Sequence, residues 1–161
     1  MWKTSNKKMI EYDSIVNFLK EAVAYDHQIV LGTDSQPFNS GTFLVTALVV
    51  LCQDRAYHCR YFYKEHANRP THYSLYDRIY SEVDTTLNIA HILRDEIPQA
   101  NFTIHLDVNH DIKRGKTAKF STGLVAMVKG YGYQNVEIKP NAWCASKVAD
   151  RHTKNIPAYL H

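Results

Sequence analysis

Gln28-Ile29-Val30-Leu31-Gly32-Thr33-Asp34-Ser35 decides the reading of this chain. Ile29, Val30 and Leu31 are an apolar run of the length of a buried strand, and the segment ends on one carboxylate. A lone aspartate after such a run ordinarily caps a turn. Three later acids give Asp34 another meaning. Glu82, Asp107 and Asp150 each stand where an aliphatic or small residue would be the easier choice. Four carboxylates drawn to one place repel strongly and call for cations between them. The expectation is a divalent-metal site for phosphodiester chemistry, with these four side chains as its metal ligands and catalytic groups.

Working outward, 28–34 is the first strand of a meander. A turn-rich connection over 37–41 leads to a second strand at 42–51, rich in Val, Leu and Thr. Residues 56–64 alternate, with Tyr57, Cys59, Tyr61 and Tyr63 on one face and His58, Arg60, Phe62 and Lys64 on the other. Short connections make the three strands antiparallel. Residues 65–72 read as a loop, and Pro70 and Thr71 suit the entry to a helix at 73–97.

That long helix sorts its acids by geometry. Leu75, Ile79, Thr86, Ile89 and Leu93 share a stripe, and Glu82 lies on it. Asp77, Asp84, Asn88, His91 and Asp95 fall on a polar face. A fourth strand at 101–108 alternates Phe102, Ile104 and Leu106 with Thr103, His105 and Asp107. Asp107, like Asp34, arrives at a strand's carboxyl end, the edge at which sites gather in open α/β sheets. A helix at 117–129 stops at Gly130-Tyr131-Gly132. A fifth strand covers 136–138 and a last helix covers 142–153. Ala142, Ala145, Ser146 and Ala149 keep one side of that helix small, which would bring Asp150 toward the strand ends. Before the meander, 1–10 reads as a loose lead-in, and Asp13 or Ser14 would cap an extra N-terminal helix at about 13–25.

The bulk numbers fit one domain over 1–161, with its core at about 28–154. Apolar content of 45% and charged content of 22% belong to a folded chain rather than a disordered one. No run approaches the roughly 18 to 20 apolar residues of a membrane span. The basic start is followed by no long apolar segment, which excludes a secretory signal. Cys52, Cys59 and Cys144 are odd in number and lack CxxC spacing, so a reducing cytoplasm is expected and the thiols read as core residues. Net charge is only +3 with His neutral, but its distribution is informative. Lys113, Arg114, Lys116 and Lys119 follow Asp107, and Lys147, Arg151 and Lys154 surround Asp150. Such clusters neutralise phosphates, although a solvated helix face has the same composition.

The element order and four segments carry a resemblance. LGTDSQ at 31–36, LDVN at 106–109, VKGYGY at 128–133 and KPNAWCASKVADRHT at 139–153 resemble the bacterial ribonuclease H-like family of the YkuK type. The resemblance spans about 28–154. It implies an α/β, ribonuclease H-like fold: a five-stranded mixed sheet, three antiparallel strands plus two parallel, flanked by helices. It also implies a cytoplasmic nuclease with two divalent ions, Mg²⁺ or Mn²⁺, acting on RNA, DNA or a hybrid. Asp34 would bridge both ions, Asp107 and Glu82 would complete one, and Asp150 would hold the other. Products would carry a 5′-phosphate and a 3′-hydroxyl. Lys113, Arg114, Lys116, Lys139, Lys147 and Arg151 would bind substrate. Some ribonucleases H place a mobile His before the last carboxylate; 139–143 contains none, leaving His110 and His152 as candidate proton shuttles.

Other groupings carry less. His105 shares a strand face with Asp107 and suits a transition metal, or packing against a helix. Tyr57, Tyr61 and Tyr63 suit base stacking, or sheet packing. Gly-Thr-Asp-Ser is similar to the phosphate loop of actin-like kinases, which need two related domains and a longer chain. The alternative to a nuclease is a non-catalytic nucleic-acid-binding or protein-interaction module on the same fold.

Overall fold

The computed structural model describes residues 1–38, 41–52, 60–69, 74–111, 113 and 115–154, without the side chains of 67–69. The expected turn at 39–40, the strand start at 56–59 with Tyr57 and Cys59, the helix entry at Pro70 and Thr71, Arg114 and the tail 155–161 lie outside the described residues. The elements are β1 (Trp2–Thr4), β2 (Met9–Ile10), α1 (Tyr12–Ala24), β3 (Gln28–Phe38), β4 (Gly41–Leu51), β5 (Arg60–Arg69), α2 (Leu75–Glu96), β6 (Phe102–Asn109), α3 (Ala118–Gly130) and β7 (Asn135–Lys139), then a π-helical segment (Cys144–Ala149) running into α4 (Asp150–Thr153).

Among the described residues the sheet has seven strands, in the order β2-β1-β5-β4-β3-β6-β7, where five were expected. The two extra strands are the segment read as a loose lead-in. Trp2 is buried in the main core, and Lys3 pairs with Glu65 at 2.7 Å, so β1 is fastened along β5. β5 also runs through 65–69, expected as loop, because β4 offers partners as far as Thr42. Likewise Pro37 pairs with Thr42 inside a strand rather than opening a turn.

β3 is the hinge of the topology. It pairs antiparallel with β4 and parallel with β6, which pairs parallel with β7. Side-chain alternation gives its two faces different work. Ile29 and Leu31 join the main core with Ile15 and Leu19 of α1 and Val83, Leu87 and Leu93 of α2. Val30 joins a smaller cluster with Ala47, Val49, Cys144 and Ala149 beneath the π-helical segment. Helices therefore cover both faces.

The helix starts correct the sequence in detail. α1 begins after Glu11 with no side-chain cap, so Asp13 and Ser14 lie inside its first turn. α2 is capped by Ser74, whose hydroxyl accepts the Asp77 N–H at 3.1 Å. Glu82 is buried on the inward stripe, while Asp77, Asp84, Asn88 and Asp95 are exposed.

Candidate acidic site at the carboxyl ends of the central strands

The β3–β6 pairing runs from Ile29↔Phe102 to Gly32↔His105 and ends there. Asp34 and Asp107 each lie two residues beyond that last pair, so the register sets them beside each other where the strands part. Alternation turns both toward the π-helical segment, because Leu106 and Val108 belong to the main core on the other face. Asp150 arrives on the same face, at the junction with α4. Glu82 comes from the opposite face, where Ser35, the neighbour of Asp34 pointing the other way, donates to Glu82 Oε1 at 2.5 Å. Asp34 Oδ2 accepts a hydrogen bond from the Thr153 hydroxyl.

Asp34 and Glu82 sense the acids around them. Burial raises the Asp34 carboxyl from 3.8 to about 6, and the charges of Asp107 and Asp150 push the same way against the Thr153 hydrogen bond. Burial likewise lifts Glu82 well above its usual value, with Asp34 the next cause and Asp107 adding to it, while Ser35 and Arg78 oppose. Lysines already answer part of the charge. Lys139 Nζ lies 2.7 Å from Asp107 Oδ1, an ion pair without hydrogen-bond alignment, and Lys154 Nζ lies 2.6 Å from Asp150 Oδ2.

Among the described residues no three His, Cys, Asp or Glu side chains are grouped to hold a metal ion as they stand. The donor chemistry nevertheless fits a hard divalent cation: carboxylate oxygens only, two of them resisting ionisation without a countercharge. Asp34, Glu82, Asp107 and Asp150 are the residues that would hold it.

Lys113, Lys116, Lys147 and Arg151 are exposed, and Lys139 is partly buried in its ion pair. His110 is exposed, with Nδ1 3.3 Å from the Lys139 carbonyl. His152 is buried and stacks on Tyr63, centroids 3.7 Å apart, so its ring is spent on the sheet. Tyr63 is thus a packing surface. Cys144 is buried, its Sγ 3.5 Å from the Ala47 carbonyl.

His105 does structural work. Its Nδ1 accepts the Cys144 N–H at 3.1 Å, and its ring meets Trp143 edge-on at 5.0 Å. It pins the start of the π-helical segment that delivers Asp150. Burial lowers the imidazole from 6.5 to about 4. The unfolded chain therefore takes up this proton first, and the contribution to stability is full above pH 6.5 and lost as pH falls toward 4. His105→Gln keeps an acceptor but does not titrate. Acid unfolding, followed by circular dichroism, is expected to begin at lower pH in this variant than in the parent.

Sequence reasoning missed Ser35, Thr153 and Gly32 as parts of the site, and read Lys154 as one of the basic residues around Asp150 rather than as its ion-pair partner. Lys154 had a signal in its i, i+4 spacing from Asp150. Gly32 had one as the residue without a side chain in an apolar strand, a mark of close backbone approach. A mixed sheet with a parallel central pair, helices on both faces and acids gathered at strand ends defines an α/β domain with a site at its strand-parting edge. The chain belongs to the Ribonuclease H-like family, whose model matches residues 11–154. No curated protein and no solved structure matches the chain significantly. Among the described residues no helix is long and apolar enough to cross a membrane.

Proposed function

We propose that this chain is a divalent-metal-dependent nuclease that hydrolyses phosphodiester bonds of RNA or DNA. The observation that carries the reading is that two buried carboxylates, Asp34 and Glu82, are raised by burial and by nearby acids, Asp107 for both and Asp150 for Asp34. Two Mg²⁺ or Mn²⁺ ions held by these groups would supply an activated water and stabilise the leaving oxygen of an in-line displacement. The residues of the chain do the rest. Ser35 and Thr153 hold Glu82 and Asp34 in fixed rotamers through their hydroxyls. Lys139 and Lys154 lie among the acids, and become available to phosphate oxygens when other cations neutralise Asp107 and Asp150. Lys113, Lys116, Lys147 and Arg151 offer further phosphate contacts, with Arg114 in the same run of sequence. His110, exposed beside Lys139, is the better-placed proton shuttle of the two histidines.

One observation favours a second reading, a non-catalytic nucleic-acid-binding or protein-interaction module: the chain neutralises Asp107 and Asp150 with its own lysines. Cleavage separates the two. In Mn²⁺, the parent is expected to cut at least one of RNA, hybrid, branched and single-stranded substrates, and Asp34→Asn none. Identical behaviour of the two proteins across that panel would sink the catalytic reading. Metal binding has its own signature, because Asp34 and Glu82 must give up protons that burial makes them keep. Calorimetric titration with Mn²⁺ is expected to show proton release, and an affinity that rises with pH through about 6.

A further inference from the structure

The outer faces of α2 and α3 carry aromatic side chains that the acidic site does not use. Tyr76 and Tyr80 lie one turn apart on α2 and remain 43% and 41% exposed. Their rings are 6.0 Å apart, and Tyr76 meets Phe120 of α3 at 5.0 Å. The ammonium of Lys119 sits 4.8 Å over the Phe120 ring. Lys113 and Lys116, both exposed, precede this helix. The acid nearest in sequence, Asp77, is engaged by the Ser74 hydroxyl at 2.7 Å in the helix cap.

Topology places this face at the edge where the acids gather. Tyr80 is two residues from Glu82 on α2. α3 begins just past the strand that carries Asp107, and the Asn109 N–H donates to the Thr117 hydroxyl at 3.0 Å, tying strand end to helix start. Half-exposed rings near exposed ammonium groups suit a ligand with flat π-surfaces strung on a polyanion. Unpaired bases offer such surfaces, whereas bases inside a duplex are already stacked on one another.

We propose that the N-terminal ends of α2 and α3 form a platform for single-stranded nucleic acid. Unpaired bases stack on Tyr76 and Tyr80, and phosphates meet Lys113, Lys116 and Lys119. This deepens the nuclease reading, and rests on it, by naming a substrate class: a strand that is unpaired beside the bond to be cut. Charge complementarity argues for this occupant, since Lys119 sits over the Phe120 ring and exposed Lys113 and Lys116 precede the same helix.

The test is binding without turnover. Fluorescence anisotropy with labelled single-stranded and duplex 12-mers, in EDTA, compares the parent with Tyr76→Ala, Tyr80→Ala and the two Tyr→Phe variants. Each alanine variant is expected to bind the single strand roughly tenfold more weakly, the loss typical of removing one stacking ring. The phenylalanine variants should keep parental affinity, and duplex binding should not change. Both tyrosines are exposed, so unchanged circular dichroism serves as the folding control. Alanine variants that bind the single strand like the parent would overturn the proposal. So would equal losses on single strand and duplex, or a tyrosine-dependent change in sedimentation without a change in nucleic-acid binding, which would mean that the face covers a second protein surface. A parent that binds through its tyrosines but never cleaves in Mn²⁺ removes the nuclease reading and leaves the platform. A parent that cleaves single strands regardless of the tyrosines does the reverse.

Discussion

Asp34→Asn is expected to raise the thermal midpoint of the metal-free protein at pH 7 and, in the same molecule, to remove divalent-dependent hydrolysis. The two effects share a cause. Burial and the neighbouring acids hold the Asp34 carboxyl at about 6 against 3.8 in the unfolded chain. Below pH 3.8 the group is neutral in both states and costs nothing. As pH rises from 3.8 the unfolded chain loses this proton first, and stability falls until the folded carboxyl ionises as well near 6. Above that the cost is on the order of 3 kcal/mol. Asparagine keeps an oxygen for the Thr153 hydroxyl and carries no charge. The gain in midpoint should therefore be small near pH 4 and reach several degrees at pH 7. Added Mn²⁺ should stabilise the parent more than the variant, narrowing the gap. The hydrolytic loss should exceed the roughly 10- to 100-fold that loss of an outer-shell partner brings, because the proposed ligand set includes Asp34 itself. Differential scanning fluorimetry over pH 4–8, with EDTA and with Mn²⁺, reads the first effect, and the cleavage panel reads the second. A variant no more stable than the parent at pH 7 would mean that Asp34 is not under the electrostatic load described.

The same acids show what a sequence can and cannot disclose. Asp34 and Asp107 are legible because each ends an apolar or alternating run, and period 2 assigns them a face. Glu82 is legible because period 3.6 puts it among Ile79, Ile89 and Leu93, where it is indeed buried. Each of these is a local statement about one element. The missed features depend on pairings between distant segments. Lys3 meets Glu65 across 62 residues, and nothing in 1–10 except Trp2 announces a strand. Glu65 and His66 read as loop because they are polar, yet pairing with Val45 and Leu44 of β4 holds the backbone extended. The π-helical segment is a local widening that an ordinary helical pattern does not distinguish, and the partner that pins it, His105, comes from another strand. The lysines beside Asp107 and Asp150 depend on where side chains end rather than on where the backbone runs.

Gly32 is where β3 closely approaches the segment that carries Asp150, and enlarging it is expected to damage both. A Cβ at this position would lie 2.8 Å from the Ala145 nitrogen, 3.0 Å from its Cβ and 3.1 Å from its Cα. Two of these three atoms are backbone, so no rotamer change relieves the contact. Either β3 or the π-helical segment has to move. Overpacking of this kind costs about 1–3 kcal/mol for one added carbon, and more for the branched side chain of valine. Movement of the segment also carries Asp150 away from Asp34 and strains the Cys144–His105 hydrogen bond. Gly32→Ala should therefore lower the thermal midpoint and weaken Mn²⁺ binding together, and Gly32→Val should do so more strongly. Gly123 is the internal control. It is exposed in the middle of α3, and a Cβ there meets nothing within 4 Å. Gly123→Ala should stabilise the protein by up to about 1 kcal/mol, through the helix propensity of alanine, and leave metal binding unchanged. If Gly32→Ala behaves like Gly123→Ala in both measurements, the close approach of strand and helix is not what sets Asp150 in place.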